Sequence, residues 1–355
     1  MSQRHAKSDR REEQRPHVSA TVSDSGRGWL FGLVVIAALV TAVAHWSEIA
    51  GFARLLRDAR PIWLCLAIIL QLSTYLSVAI SWREILREAG APRRLSLLVR
   101  IAITKLFADQ ALPGAGLGGN VLLVAQLRAA GISRGAAVAV PLLSTIGFYA
   151  AYALLAIAML ILLWLHDRAT PLMAGTVTLF LCVAIAIPTL ALWLRKRGSA
   201  PLPRWLEQIG PVRSLLESVG RAPAGLLNDR RLLTRVAACN ALVFFADAAT
   251  LFASLRALGG AAAFPTCFIA LIMASIVATL GPIPLGLGTF EATSVATLRL
   301  LGVPFDAAFA STMLLRLLTL WIPLIPGMVL MRGAMGRLTA STSERRRALP
   351  RGGNR

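Results

Sequence analysis

Six apolar runs, 29–46, 61–81, 136–165, 171–194, 232–255 and 307–331, recur along the chain. About 20 apolar residues in a helix suffice to cross the hydrocarbon of a bilayer. Lipid offers no partner to a backbone N–H or C=O, so runs of this length fold as helices that satisfy themselves. The fold class expected is an all-α polytopic integral membrane protein with about six full transmembrane helices. The composition agrees, with 56% hydrophobic and 15% charged residues. It excludes a water-soluble body for most of the chain.

The charges then set topology. The chain carries 37 Lys/Arg against 17 Asp/Glu, a formal net charge of +20. Most of the bases fall in 1–28, 82–100, 128–135, 195–235 and 332–355, whereas Arg54, Arg57, Arg60, Arg168 and Arg299 occupy the alternate loops. An excess of Lys/Arg marks the cytoplasmic side. Both termini are therefore expected to be cytoplasmic, in a multi-pass protein of a bacterial cytoplasmic (inner) membrane, the Arg- and Ala-rich usage suiting a GC-rich bacterium. The domain plan is a basic cytoplasmic tail over 1–28, disordered by composition, a transmembrane domain over 29–332, and a basic tail over 333–355. Residues 47–60 read as a short interfacial helix, and 195–231 as a cytoplasmic linker holding an amphipathic helix. No A-x-A-type cleavage signal follows the first tail, which reads as tail plus anchor. Basic tails also suit nucleic acid, but no folded nucleic-acid motif accompanies them, and anionic inner-leaflet lipid explains them more simply. No nucleic-acid partner is expected. Cys65, Cys182, Cys239 and Cys267 lie in apolar segments without CxxC spacing and read as small core residues. No metal site and no cofactor are expected.

Two stretches break the apolar pattern. One holds Pro113, Gly114, Gly116, Gly118 and Gly119; the other, GPIPLGLGTFE, holds Pro282, Pro284, Gly286 and Gly288. Proline blocks helix continuation and glycine permits turns that other residues resist. Irregular backbone at membrane depth is tolerated only where protein or a water-filled cavity satisfies it. The expected elements, 97–130 and 264–301, are broken or re-entrant helices, with new helices starting at Asn120 and at Thr289. Each start aims unpaired N–H groups and a positive dipole end into the interior, which suits a phosphate. A shift of 171 residues lays 112–140 on 283–311 without gaps, matching Pro113 to Pro284, Leu127 to Leu298, Arg128 to Arg299 and Gly131 to Gly302. The repeat halves are about 61–165 and 232–331. With the charge pattern, the first element opens inward and the second outward, an inverted repeat of the kind many transporters use.

The charges inside the apolar body are few. Glu291 falls in the first turn of its helix, where an acid complements the helix N-terminus. Arg316, well inside the last span, needs a carboxylate, carbonyls or water. Glu291 is the closest acid in sequence on a neighbouring element, with Asp247 the other candidate. Lys105 and Asp109, at i and i+4, share a helix face as a neutralised pair. Glu291, Arg316, Pro284, Gly286, Gly288, Thr289, Pro113, Gly114, Gly116, Asn120, Lys105, Asp109 and Asp247 together form the expected lipid head-group and translocation path.

The run PIPLGLGTFEATSVATLRLLGVPFDAAFASTMLLRLLTLWIPLIPG resembles a signature block of the lysylphosphatidylglycerol synthase transmembrane (flippase-like) family. Pro284, Gly286, Gly288, Glu291, Gly302 and Arg316 take the block's places. LPGAGLGGNVLLVAQLRAAGIS is similar to the family's first block, with Asn120 and Val124 where many members carry an acid and an arginine. The likeness covers about 29–332 and is strongest over 281–327. It implies a polytopic bundle with internal repeats and re-entrant helices that moves a lipid between leaflets. The aminoacyltransferase domain of the fused members has no counterpart here, so a stand-alone member is expected. The expected function is a lipid flippase or transporter for an anionic or modified (glyco)phospholipid or a polyprenyl-linked lipid. The alternative is an accessory or scaffold subunit of a lipid-modifying or glycolipid-synthesis pathway, with a lipid-modifying enzyme as partner. A lipid-phosphate enzyme is disfavoured: Asp109, Asp247 and Glu291 are the only acids well inside the apolar body and no histidine accompanies them. No GxxxxGK[ST] loop for ATP is present.

Overall fold

Helix is the only regular structure among the described residues, as satisfaction of the backbone in lipid requires. The computed structural model describes residues 59–111, 117–165, 170–197, 224–281, 286–321 and 324–331, all within the unit Asp58–Arg355. The elements are α1 (Pro61–Glu88), α2 (Leu95–Ala111), α3 (Leu117–Ala129), α4 (Arg134–Leu165), α5 (Pro171–Arg197), α6 (Ala224–Asn228), α7 (Arg230–Ala257), α8 (Phe264–Leu280), α9 (Thr289–Leu300) and α10 (Phe305–Arg316). A π-helical turn, Leu317–Trp321, continues α10. The expected span 29–46, the interfacial helix over 47–60 up to residue 58, both tails and most of the linker lie outside the described residues.

Among the described residues four helices are long and apolar enough to cross a membrane: α1, α4, α7 and the run Phe305–Met331 that α10 begins. The shorter apolar helices are Pro171–Ala186, within α5, and α8. The chain is a multi-pass membrane protein. α1 and α7 have 28 residues each, about 42 Å at 1.5 Å per residue. α2 and α8 have 17 each, and α3 and α9 have 13 and 12. At roughly 18–26 Å, none of these four alone matches a hydrocarbon thickness of about 30 Å. The sequence 28, 17, 13 in the first half thus returns as 28, 17, 12 in the second, in the same order. α2 packs on α3 as α8 packs on α9.

The most extensive packing joins α1 to α7. Arg60 N–H donates to the Ala257 carbonyl (2.8 Å), and the Trp63 ring meets Phe252 edge-on at 5.9 Å. Further along, Ser77 Oγ donates to the Cys239 carbonyl (2.8 Å) and Arg235 Nη1 meets Glu84 Oε2 (3.2 Å). Residue numbers rise along α1 as they fall along α7, so the two helices run antiparallel over their whole contact.

Local chemistry sets the helix starts. Pro61 opens α1, where its missing N–H costs nothing. Asp229 caps α7, its carboxylate accepting from Arg231 N–H (2.9 Å) and Leu232 N–H (3.2 Å). Before α9 the chain turns at Gly286 (φ 62) and Gly288 (φ 82), in the left-handed region that other residues resist. α9 begins at Thr289, as the sequence expects, whereas α3 begins at Leu117, three residues ahead of the expected Asn120. The reason is local: Gly118 and Gly119 are accommodated within the helix.

Two apolar cores result. One gathers Trp82, Ile85, Leu98, Leu123, Leu143 and Val236 from α1–α4 and the start of α7. The other gathers Tyr152, Phe180, Phe244, Ile272 and Leu298 from the end of α4, α5 and α7–α10. α4 and α7 run through both. Large apolar side chains such as Leu72, Trp164, Leu179 and Leu242 are exposed on outer faces, as lipid contact permits. This corrects the reading of the cysteines. Only Cys267 is a core residue; Cys65 and Cys182 are exposed, because an apolar face in a membrane packs on lipid as readily as on protein.

Candidate functional site: a polar cavity between two cores

Between the two cores lies a cavity of about 700 Å³. It opens where α4 and α7 pass from one core to the other and carry polar residues. On α4, Pro141 lacks the N–H that would close the preceding turn. Its carbonyl accepts from Thr145 Oγ1 (2.8 Å), and Ser144, Thr145 and Tyr149 line the space. On α7 the lining residues are Asn240, Val243 and Asp247; Gln71, Thr74 and Tyr75 face them from α1.

α8–α10 supply the positive end. Glu291 sits in the first turn of α9, where its Oε2 accepts from Gly288 N–H (2.7 Å). Its Oε1 accepts from Arg316 Nε at 2.5 Å. The two side chains are only 12% and 17% exposed, for Arg316 and Glu291, so water screens the pair little. The guanidinium also lies over the Phe290 ring, 4.7 Å from its centroid. One turn further along, Ser294 Oγ and Thr312 Oγ1 are hydrogen-bonded at 3.0 Å in a buried position, which fixes α9 against α10. Phe290 and Arg316 line the cavity. Glu291 stands behind Arg316, and Gly286, Gly288 and Thr289 form the turn that places Glu291, with Thr289 Oγ1 donating to the Gly286 carbonyl (3.1 Å).

α2 and α3 supply further lining. Lys105 Nζ meets Asp109 Oδ2 at 2.6 Å, the expected i,i+4 pair, and both line the cavity with Gln110 and Asn120. A Cβ on Gly119 would overlap the Asp109 carboxylate, so this glycine is what lets the acid lie flat on the first turn of α3. The repeat register pairs Asn120 with Glu291 and Thr145 with Arg316. The ionic pair of one half thus corresponds in register to two uncharged residues in the other.

Of the residues expected to form the path, Lys105, Asp109, Asn120, Asp247 and Arg316 meet in this one cavity, and Glu291 touches it through Arg316. Pro113, Gly114, Gly116 and Pro284 lie outside the described residues. The sequence reading passed over Gln71, Tyr75, Ser144 and Asn240. Their signal was available, since each is a polar side chain in the middle of an apolar run. Among the described residues no group of three His, Cys, Asp or Glu is placed to hold a metal.

The cavity offers two bases, each already on a carboxylate, within apolar walls. A head group carrying a phosphate can displace Asp109 or Glu291 from its base without leaving a cation unpaired. A family model described as the lysylphosphatidylglycerol synthase TM region matches residues 29–327. No curated protein matches the chain.

Proposed function

The chain belongs to the lysylphosphatidylglycerol synthase transmembrane family, and from that membership we propose that it is a lipid flippase. It takes an anionic or modified phospholipid, or a polyprenyl-linked lipid, from one leaflet of a bacterial inner membrane to the other, and it is not an enzyme. The observation that carries this reading is the cavity between two cores, with Arg316 held by Glu291 at its wall. Lipid tails stay in hydrocarbon during such a passage; the head group alone needs a polar path, and a cavity of this size holds one.

The repeated element lengths and the antiparallel α1–α7 pair support an inverted repeat, in which the two halves exchange the side to which the cavity opens. The short helix pairs α2–α3 and α8–α9 then enter and leave the membrane on opposite sides. Their breaks let backbone groups and charges sit at a depth a continuous helix would keep apolar. Both termini face the cytoplasm in this arrangement.

The test is leaflet exchange of labelled phosphatidylglycerol, an aminoacylated analogue and a polyprenyl phosphate in liposomes. The parent is expected to exchange at least one, and folded Glu291→Gln and Arg316→Ala variants to lose most of that exchange. A folded parent that moves none of them, even with a proton gradient and a broad lipid extract, refutes the flippase reading in favour of an accessory subunit.

A further inference from the structure

α1 carries Gln71, Thr74 and Tyr75 in mid-span, and α7 presents Asn240 and Asp247 to the same cavity. The hydrogen bonds determine which atoms remain for a ligand. Thr74 Oγ1 donates to the Gln71 carbonyl (2.7 Å), so its lone pairs accept Gln71 Nε2 at 3.4 Å. This orients the amide and leaves Gln71 Oε1 with no donor, on a residue only 7% exposed. Asn240 Nδ2 is spent on the Val236 carbonyl (2.8 Å), which leaves its Oδ1 for the cavity. Asp247 Oδ1 and Tyr75 Oη are shielded and also lack a partner. Gln71, Tyr75 and Asp247 thus bring shielded side-chain oxygens to one cavity from two helices, one of them on a carboxylate.

The surrounding charges do not answer that carboxylate. From α2, Lys105 faces the cavity already paired with Asp109; from α10, Arg316 faces it held by Glu291 of α9. α4 and α1 contribute Tyr149 and Tyr75, and α8 only Ser275. No Lys or Arg among the described residues forms an ion pair with Asp247; with Glu291, which stands behind Arg316, the cavity and its wall hold three carboxylates against two bases, Lys105 and Arg316. A carboxylate so placed is costly until a cation or proton joins it.

We propose that Asp247, with Gln71 and Tyr75, forms a site for a small monovalent cation, a sodium ion or a proton. Carboxylate, amide and hydroxyl oxygens are the donors that hard cations take. The site deepens the flippase reading and rests on it for its use. A bound cation brings the cavity to neutrality, so cation and anionic head group each favour the other's binding, and the coupling is reciprocal.

The test reads binding without lipid movement. The purified full chain, in nanodiscs of phosphatidylcholine, is followed by infrared difference spectroscopy, first with sodium exchanged for choline at fixed pH, then with pH stepped in choline. The parent is expected to change one carboxyl signal. A response to sodium identifies that ion, and a protonated C=O stretch lost on raising the pH identifies a proton. Asp247→Asn removes the signal. Gln71→Leu, which keeps the volume and removes the amide oxygen, weakens sodium about tenfold or shifts the pH midpoint by about one unit. The proposal is overturned if neither arm alters a carboxyl signal in the folded parent, or if the signal survives Asp247→Asn. Should Asp247→Asn fail to fold, an unchanged midpoint in Gln71→Leu overturns it instead. Failure here leaves the leaflet-exchange result standing, and a failed exchange leaves this one standing.

Discussion

Replacing Glu291 by glutamine separates charge from shape at the cavity wall. The amide oxygen still accepts from Gly288 N–H, so the start of α9 keeps its cap while Arg316 loses its counter-charge. Breaking a buried pair from one side costs about 3–5 kcal/mol, and the low exposure of both side chains keeps this one in that class. Arg316→Gln should cost less, about 2–3 kcal/mol, because the stranded carboxylate keeps the Gly288 N–H and the positive end of α9, which return up to about 2 kcal/mol. The double variant leaves two neutral amides and no stranded charge. It should therefore fall short of the summed single costs by about 2–3 kcal/mol. Reversible unfolding by SDS in mixed micelles, followed by far-ultraviolet circular dichroism, measures all three. Costs that add within about 0.5 kcal/mol would refute the coupling and place the compensation of the arginine elsewhere.

Two further outcomes follow from packing. A Cβ on Gly147 of α4 would lie 2.6 Å from Val236 Cγ1 and 3.2 Å from the Ala237 backbone nitrogen, whereas one on Gly175 of α5 meets nothing within 4 Å. Gly147→Ala should cost about 1–3 kcal/mol in the same unfolding assay and Gly175→Ala nothing measurable or a slight gain, so equal effects would contradict the close α4–α7 approach. The antiparallel α1–α7 register places Ser77 beside Cys239. Ser77→Cys, in a background where the other native cysteines are serine, should cross-link to Cys239 with a short bismaleimide, and Ser73→Cys should not; the reverse pattern would refute the register.

Much of this was legible in the sequence because lipid is a severe solvent. Run length gave four of the six expected spans, α1, α4, α7 and Phe305–Met331, and proline with glycine gave the breaks, including the start of α9 at Thr289. The Glu291–Arg316 and Lys105–Asp109 contacts followed from the cost of a lone charge in hydrocarbon and from helical spacing. What was not legible was the company these residues keep. Gln71 and Asp247 are far apart in the chain, and only the antiparallel register of α1 on α7 puts them in one cavity. Whether an apolar residue faces protein or lipid was equally hidden, as Cys65 and Cys182 show. Both environments select the same residue types.

The α1–α7 pair also has a definable centre. Its contacts match Arg60 with Ala257 at one end and Glu84 with Arg235 at the other, so the midpoint of the pair falls near Leu72 and Ala246. If the two halves rock against each other, that midpoint is the fulcrum of the lever. Asp247 and Gln71 are within a turn of it, whereas Arg316 and Lys105 ride on the arms. An ion held at the fulcrum need not travel: the arms swing past it and carry the head group, and the ion changes only the side from which it can be reached.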